Sequence, residues 1–159
     1  MKIFLTVGTH PQKFDRLIKA MDEITKKKKN LVVFGQIGSS LYKPKFFGFK
    51  ELIAEPEYSK KFQESDLIVS HGGAGAIIHA MDARKKLIIV PRLKKFNEHT
   101  NDHQLELAEL LEKHKKAIAV VELLEMEQAL KKIQKFSPDF DSTRSKLISG
   151  LEEWIEKNF

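Results

Sequence analysis

Short apolar runs alternate with longer amphipathic stretches along this chain. The apolar runs have the length and the β-branched content of buried parallel strands, and they predict strands over residues 3–7, 31–34, 46–53, 67–70, 87–90 and 117–121. In the stretches between them, apolar residues recur at helical spacing, which predicts helices over residues 11–26, 57–64, 74–82, 103–114, 124–135 and 142–157. Regular alternation of strands and helices favours the α/β class, with one parallel sheet covered by helices on both faces.

The length of 159 residues predicts one domain, residues 1–159, closed by terminal helices at about residues 124–157. The composition, 42% hydrophobic and 31% charged, is that of a folded soluble protein. No apolar run approaches the ~20 residues that a membrane-spanning helix needs, and Gly8 interrupts the first run too early for a secretory signal. The absence of cysteine excludes disulfides and thiolate-bound zinc, and it favours a cytoplasmic location.

The formal net charge of +6 raises the question of nucleic-acid binding. However, no stripe of basic residues is interleaved with aromatic ones. The run Lys26–Lys29 closes a predicted helix, where cations are favourable beside the negative end of the helix dipole. We therefore expect no nucleic-acid partner. Weak attraction to an anionic membrane surface is the other interpretation of the charge.

The segment Ser70–Ala76 joins a buried apolar run to a predicted helix and carries three glycines within four positions. Glycine lets an anion approach the backbone, and the unpaired amides and dipole of a helix N-terminus attract negative charge. The pattern predicts a phosphate site in which His71 donates a further hydrogen bond. The backbone of this site is formed by Gly72, Gly73, Ala74 and Gly75. The alternative is that the glycines only permit a tight turn.

Polar or glycine-containing segments follow the predicted strands at residues 8–10, 35–38, 70–75 and 91–103. The carboxyl ends of parallel strands meet at one edge of a sheet, where ligands bind in α/β proteins. The four segments therefore predict a binding site at that edge. The sequence has neither a Walker ending nor a GxGxxG fingerprint, and Gln36 rather than an acid follows the second strand, which argues against an NAD-dependent dehydrogenase.

Eight polar side chains lie within residues 96–104. His99 and His103 are four positions apart, a spacing compatible with metal ligation on one helical face, but no third ligand is evident and we expect no metal. Asp102 and Gln104 are suited to hydrogen-bonding the hydroxyls of a sugar. The remaining interpretation is an ordinary helix N-terminus, where such residues cap backbone amides.

Several blocks of this sequence resemble a known family, in order and at similar spacing. These blocks are Val7–His10, Phe14–Leu17, Asp66–Gly75, Val90–Arg92, Phe96–Gln104 and Leu107–Ala108. Over roughly residues 3–112 the chain is similar to the PssE-type subunits of bacterial exopolysaccharide glycosyltransferases. It also resembles the C-terminal half of the MurG-type transferases and the small catalytic subunit of the eukaryotic two-subunit transferase that adds the second N-acetylglucosamine to a dolichol-linked sugar.

The resemblance implies a Rossmann-like domain that is half of a GT-B fold and binds a UDP-sugar as donor substrate, without a metal or other cofactor. It implies a separate membrane-associated, PssD-like glycosyltransferase subunit that binds a lipid-linked sugar acceptor. This chain would then be a cytoplasmic hexosyltransferase subunit, recruited to the inner face of the membrane through that partner. Its product would belong to exopolysaccharide or other glycan biosynthesis.

By position, the resemblance implies that the diphosphate is surrounded by Gly8, Thr9 and residues 71–75. It implies that the donor sugar or the cleft is faced by Glu98, His99, Asp102, His103 and Gln104. The predicted catalytic residues are His71, Glu98 and His99. The predicted substrate-binding residues are Gly8, Thr9, His10, Gly72, Gly73, Ala74, Gly75, His79, Arg92, Asp102, His103 and Gln104.

Position 79 departs from the family pattern, in which an acidic residue binds the ribose hydroxyls. The imidazole of His79 can bond a hydroxyl, but not bidentately. The alternative is that His79 is an ordinary helix residue near the surface. The departure favours a second hypothesis, in which the chain is a non-catalytic accessory subunit that stabilises or activates a partner glycosyltransferase.

Overall fold

A single six-stranded parallel sheet runs through the protein. The structure, a computed structural model, describes residues 1–140. Its strands are β1 (Lys2–Thr6), β2 (Val32–Gln36), β3 (Gly48–Lys50), β4 (Leu67–Ser70), β5 (Lys86–Ile89) and β6 (Ile118–Ala119). Their order across the sheet is β3-β2-β1-β4-β5-β6, and each neighbouring pair is parallel. The chain direction across the sheet reverses between β1 and β4, which opens a crevice at their carboxyl ends.

Five α-helices cover the sheet within the described part of the chain. They are α1 (Asp15–Lys27), α2 (Glu57–Glu64), α3 (Ala74–Asp82), α4 (His103–Lys113) and α5 (Met126–Lys135). Short 3₁₀ turns precede α4 and α5, at Lys94–Phe96 and Leu123–Glu125. None of the helices in residues 1–140 is long and apolar enough to cross a membrane. The predicted helix over residues 142–157 lies outside the described residues.

Two apolar clusters hold the helices against opposite faces of the sheet. Successive side chains of a strand point to opposite faces, so Ile3 and Leu5 pack with α1 and α5, whereas Phe4 between them packs with α2, α3 and α4. The other inner strands alternate in the same way, with Ile68 and Val69 on opposite faces. The predicted α/β class, with a Rossmann-like parallel sheet covered on both faces, is confirmed.

The first predicted helix and the third predicted strand are both shorter than the sequence suggested. Helix α1 begins at residue 15 instead of 11, because Phe14 N–H bonds the Ser40 hydroxyl and the Gln12 carbonyl accepts from Arg92. Strand β3 covers residues 48–50 instead of 46–53. The carboxylate of Asp22 accepts hydrogen bonds from the backbone N–H groups of residues 45 and 46, at 2.7 to 3.0 Å. These N–H groups are therefore not available for pairing with β2.

Candidate functional site

A cavity of about 700 Å³ lies at the carboxyl edge of the sheet. Its walls come from the segments that follow β1 and β4, from the last residue of β2, from α2, α3 and α4, and from the residues just before α2 and α4. It is lined by Gly8, Thr9, His10, Gln36, Ile53, Glu55, Tyr58, His71, Gly72, Gly73, Ala74, Gly75, Ala76, His79, His99, Gln104 and Leu107. The structure thus brings eleven of the fifteen predicted site residues together in one cavity.

One wall of the cavity is the glycine turn, residues 71–75, which leads into α3. Gly72 has φ +87°, and a Cβ there would lie 2.8 Å from the side chain of Ile89, so the turn requires glycine. Within residues 1–140, no side chain caps α3, whose first backbone bond runs from Ile77 N–H to the Gly73 carbonyl. A Cβ at Gly75 would meet nothing within 4 Å. Uncapped amides beside open space form a site for an anion.

His71 fills the space between the glycine turn and the first loop. A Cβ on Gly8 would lie 2.6 Å from Cε1 of this ring, and a Cβ on Gly73 would lie 2.7 Å from the same atom. The ring nitrogen Nδ1 is 3.3 Å from the Thr6 carbonyl oxygen. The absence of a side chain at Gly8 and Gly73 therefore makes room for the imidazole of His71 as well as for a ligand.

Burial, together with the positive charge of Arg92, lowers the pKa of His71 to about 3. The ring is neutral at pH 7, so it carries a single proton. That proton lies on Nδ1, where it is donated to the Thr6 carbonyl, and it leaves Nε2 as an acceptor. The sequence prediction had this ring donating to an anion. In this arrangement it positions two loops, and its catalytic role stays a prediction.

His10 and His99 form a second wall, which we call the histidine pair. Their ring centroids are 4.8 Å apart, with 31° between the ring planes. In each ring Nδ1 accepts a backbone N–H two residues ahead, from Gln12 and from Asn101, both at 3.3 Å. The neutral rings therefore carry their protons on Nε2. Burial first, and then the charge of Arg92, lowers the pKa of both rings.

Arg92 and Glu98 do not line the cavity, although the sequence predicted substrate contact for Arg92 and a catalytic role for Glu98. Arg92 is fully buried and donates to the carbonyls of Val7, Gln12 and Glu98, at 2.7 to 3.1 Å. The carboxylate of Glu98 forms two bonds of 3.0 Å with Arg16. Both side chains tie together the loops that hold the histidine pair. Arg16 was not among the predicted site residues.

The segment before α4 is divided in its roles. Gln104 lines the cavity while its side-chain oxygen accepts the Arg92 backbone N–H at 3.1 Å. Asp102 is exposed and accepts the Lys94 backbone N–H at 2.8 Å, and His103 lies 3.6 Å from Glu106. Neither Asp102 nor His103 lines the cavity. No group of three His, Asp or Glu residues within residues 1–140 is placed to hold a metal ion.

Aromatic rings line the cavity beyond the first turn of α3, where His79 of α3 faces Tyr58 of α2. His79 packs 4.3 Å from the ring of Phe62 and 5.8 Å from Tyr58, measured between centroids. It also borders a smaller neighbouring cavity of about 330 Å³. His79 is thus part of the site wall, rather than a surface residue remote from it.

Six lining residues were not among the predicted site residues: Gln36, Ile53, Glu55, Tyr58, Ala76 and Leu107. Gln36 accepts the Ile53 N–H at 3.1 Å and donates to the Gly8 carbonyl at 3.4 Å, and its place at a strand end was an available signal. Tyr58 packs edge-on against Phe4, 5.4 Å away. It had no sequence signal, because its position on α2 resembles any residue of an amphipathic helix.

Comparison with known proteins identifies the family. Residues 2–157 match the glycosyltransferase family 28 C-terminal domain. The human protein named UDP-N-acetylglucosamine transferase subunit ALG13 is 32% identical over 122 residues, which cover 70% of this chain and 10% of that protein. This chain therefore spans about a tenth of the length of its curated relative.

Solved structures agree on the fold. The solution structure of ALG13 superposes with a TM-score of 0.62 at 17% identity and covers 94% of each chain. The crystal structure of the glycotransferase of kitacinnamycin gives a TM-score of 0.66 at 18% identity, over 98% of this chain and 39% of that one. The predicted fold, half of a GT-B structure, is confirmed. Because the family match extends over nearly the whole sequence, this chain belongs to the glycosyltransferase family 28 C-terminal domain family.

Proposed function

We propose that this chain is the UDP-sugar-binding catalytic subunit of a two-component glycosyltransferase, and that it transfers a hexose to a lipid-linked acceptor. The observation that carries the proposal is the cavity at the edge of the sheet, which has an anion-binding wall and an aromatic end. A nucleoside diphosphate sugar has the same two chemistries, a charged diphosphate and a flat base.

The anion-binding wall suits a diphosphate. The uncapped start of α3 presents backbone N–H groups and the positive end of the helix dipole. Gly75 adds no side chain, so a phosphate can reach these amides. When the sugar leaves, negative charge develops on the diphosphate, and preorganised amides stabilise that charge without reorganisation. This wall therefore acts on the leaving group, and no metal or other cofactor enters the proposal.

The aromatic end suits the rest of a nucleotide. Tyr58 and His79 offer ring edges and faces beside the apolar side chain of Ile53. Burial raises the pKa of the Tyr58 hydroxyl, which stays protonated and can donate at neutral pH. His79 supplies an imidazole nitrogen for a ribose hydroxyl. The donor sugar would then extend from the diphosphate toward Gln104 and the histidine pair.

The acceptor side of the reaction is assigned to a partner. The human relative is named a transferase subunit, and this chain covers 39% of the glycotransferase of kitacinnamycin. We assign the remaining half of the enzyme to a membrane-associated, PssD-like glycosyltransferase subunit, which binds the lipid-linked sugar and brings this chain to the inner face of the membrane. Exopolysaccharide or other glycan synthesis is the corresponding pathway class.

A calorimetric titration with UDP and a panel of UDP-sugars tests the proposal. The full chain should bind UDP saturably, alone or with a co-expressed acceptor-binding subunit. Gly75→Ala places a methyl group in the open space before the α3 amides, so UDP affinity should fall about tenfold, or about 1.4 kcal/mol. Its melting temperature should stay unchanged or rise, because alanine favours a helix over glycine.

A matched control for Gly75→Ala is Gln128→Ala, an exposed neutral substitution on α5, across the sheet from the cavity. This control should bind UDP like the unmodified chain. Failure of the chain to bind any UDP-sugar, even within a stable complex with an acceptor-binding subunit, would overturn the proposal. The non-catalytic accessory role would then be the better account. The presence of His79, where the family has an acidic residue, favours that role.

A further inference from the structure

The histidine pair lies beside a buried positive charge that its surroundings do not neutralise. Two guanidinium groups, those of Arg16 and Arg92, share the single carboxylate of Glu98. Both oxygens of that carboxylate are bonded to Arg16, and one also accepts the Leu93 N–H. Burial lowers the pKa of Arg92 to about 10, so this group remains a cation at pH 7.

The ionisable groups that influence the pair are nearly all cationic or histidine. His10 is affected by Arg92 and His99, and His99 by Arg92 and His103. The neutral His71 lies between Gly8 and Gly73, next to the loop of His10. Glu98, next in sequence to His99, is bonded to Arg16, and Glu55 borders the cavity near α2, where its carboxylate bonds Ser59. Thus no carboxylate pairs with either imidazole in residues 1–140.

The same kind of backbone hydrogen bond orients the rings of His10 and His99. His10 and His99 each accept a backbone N–H at Nδ1, although they lie on loops 89 positions apart in the chain. This fixes Nε2 as the proton-bearing atom of each neutral ring. The two rings line the cavity, with 4.8 Å between their centroids and 31° between their planes. An anion that accepts from both would also relieve the repulsion between these rings and Arg92.

We propose that the histidine pair is a proton-linked receptor for the terminal phosphate of the nucleoside diphosphate that leaves when the sugar is transferred. This inference rests on the proposed function. The pair lies at the phosphate end of the ligand, because His71 connects the loop of His10 to the glycine turn, whereas the aromatic rings lie on α2 and about one turn further along α3.

The charge balance of the transfer explains why a proton is linked. The bond between the sugar and the phosphate oxygen breaks with its electrons on that oxygen, so the diphosphate gains one negative charge. The acceptor hydroxyl forms the new bond to the sugar and releases its proton to water. A phosphate with added charge raises the pKa of the adjacent imidazoles, and the pair takes up a proton from water as it holds the product.

Proton uptake can be counted by calorimetry of UDP binding to the full chain, in two buffers of different ionisation enthalpy, between pH 6.5 and 8. The chain should take up protons, and its UDP affinity should fall with rising pH by up to about tenfold per pH unit, the slope that one linked proton gives. The terminal phosphate of UDP itself titrates near pH 6. The comparison between variants therefore uses the data above pH ~7, where free UDP is already ionised.

The variants His10→Gln and His99→Gln keep an N–H donor near the position of Nε2 but cannot ionise. In each, proton uptake should fall and the affinity should vary less with pH. His114→Gln, at the exposed end of α4, should behave like the unmodified chain. In the unmodified chain, NMR titration should also show the pKa values of His10 and His99 rising on addition of UDP, a measurement that needs no variant.

Two results would overturn the inference in different ways. UDP binding with the same proton uptake and pH slope in His10→Gln and His99→Gln, or with unmoved imidazole pKa values in the NMR titration, would overturn the receptor role alone and leave the proposed function standing. No UDP binding by the unmodified chain at any pH would overturn the proposed function and this inference together.

Discussion

The two walls of the cavity are built from different chemical groups. The glycine turn presents backbone N–H groups at the start of α3, with no side-chain cap. The opposite wall presents the imidazoles of His10 and His99, on loops held by the buried guanidinium of Arg92. Backbone dipoles do not titrate near neutral pH, whereas imidazoles do. The glycine turn is therefore a fixed wall, and the histidine pair is a titratable wall, whose charge can change.

Replacing Arg92 should break the titratable wall and have the largest effect. Arg92→Met leaves the carbonyls of Val7, Gln12 and Glu98 buried without their donor. The free energy of unfolding should fall by about 3 kcal/mol. Urea unfolding measures this change.

The control is Lys113→Met, which removes a positive charge at an exposed position. It should change the free energy of unfolding by no more than about 0.5 kcal/mol. A loss below about 1 kcal/mol in Arg92→Met would show that these carbonyls find other partners. Wherever the variant remains folded, NMR titration should show higher pKa values for His10 and His99, because the charge that lowers them is gone.

Replacing a glycine should break the other wall with a smaller effect. In Gly73→Ala the new methyl group would lie 2.7 Å from Cε1 of His71, a ring that is itself buried. Overpacking of this kind should lower the free energy of unfolding by about 2 kcal/mol. Gly75→Ala, two residues further on, is the matched comparison, because its methyl group meets open space. Equal stability of the two variants would contradict the tight fit of His71.

The fixed wall was predictable from the sequence because its signals are local. Strand, glycines and helix start lie in succession within residues 67–82, and each element forms where its own residues favour it. The polar edge of the sheet followed from parallel strand order. The error at α1 is confined to its first turn. It arises from contacts with Ser40 and Arg92, which are distant in sequence.

The support of the titratable wall was not predictable in the same way. The resemblance placed Arg92 and Glu98 at the ligand, and nothing in the sequence marks them as interior residues, because arginine and glutamate are rarely buried. Their partners lie far away in sequence, with Arg16 82 positions from Glu98. Such pairs depend on how two loops meet above the sheet, which no single segment encodes. The same reason applies to Tyr58, whose role depends on where α2 packs.

Acidification should weaken the whole protein by an amount that depends on His71, the ring between the two walls. Its pKa is about 3 when folded and near the ordinary value of 6.5 when unfolded. The unfolded chain therefore binds a proton first, so the stability present above pH 6.5 is lost progressively as the pH falls from 6.5 toward 3. At pH 5.5 the loss from His71 should be about 1.4 kcal/mol relative to pH 7.5.

Urea unfolding at pH 7.5 and 5.5 measures this loss, and His71→Gln is its control. The lowered pKa values of His10 and His99 act in the same direction and remain in the control. The exposed carboxyls of Glu51 and Glu57, whose pKa values are lowered by lysine partners, lose their contribution only at lower pH. His71→Gln should be less stable at pH 7.5 but lose less on acidification, because glutamine does not titrate. An equal loss in both proteins would mean that the imidazole of His71 takes up its proton without unfolding, so that the boundary between the two walls would itself be titratable.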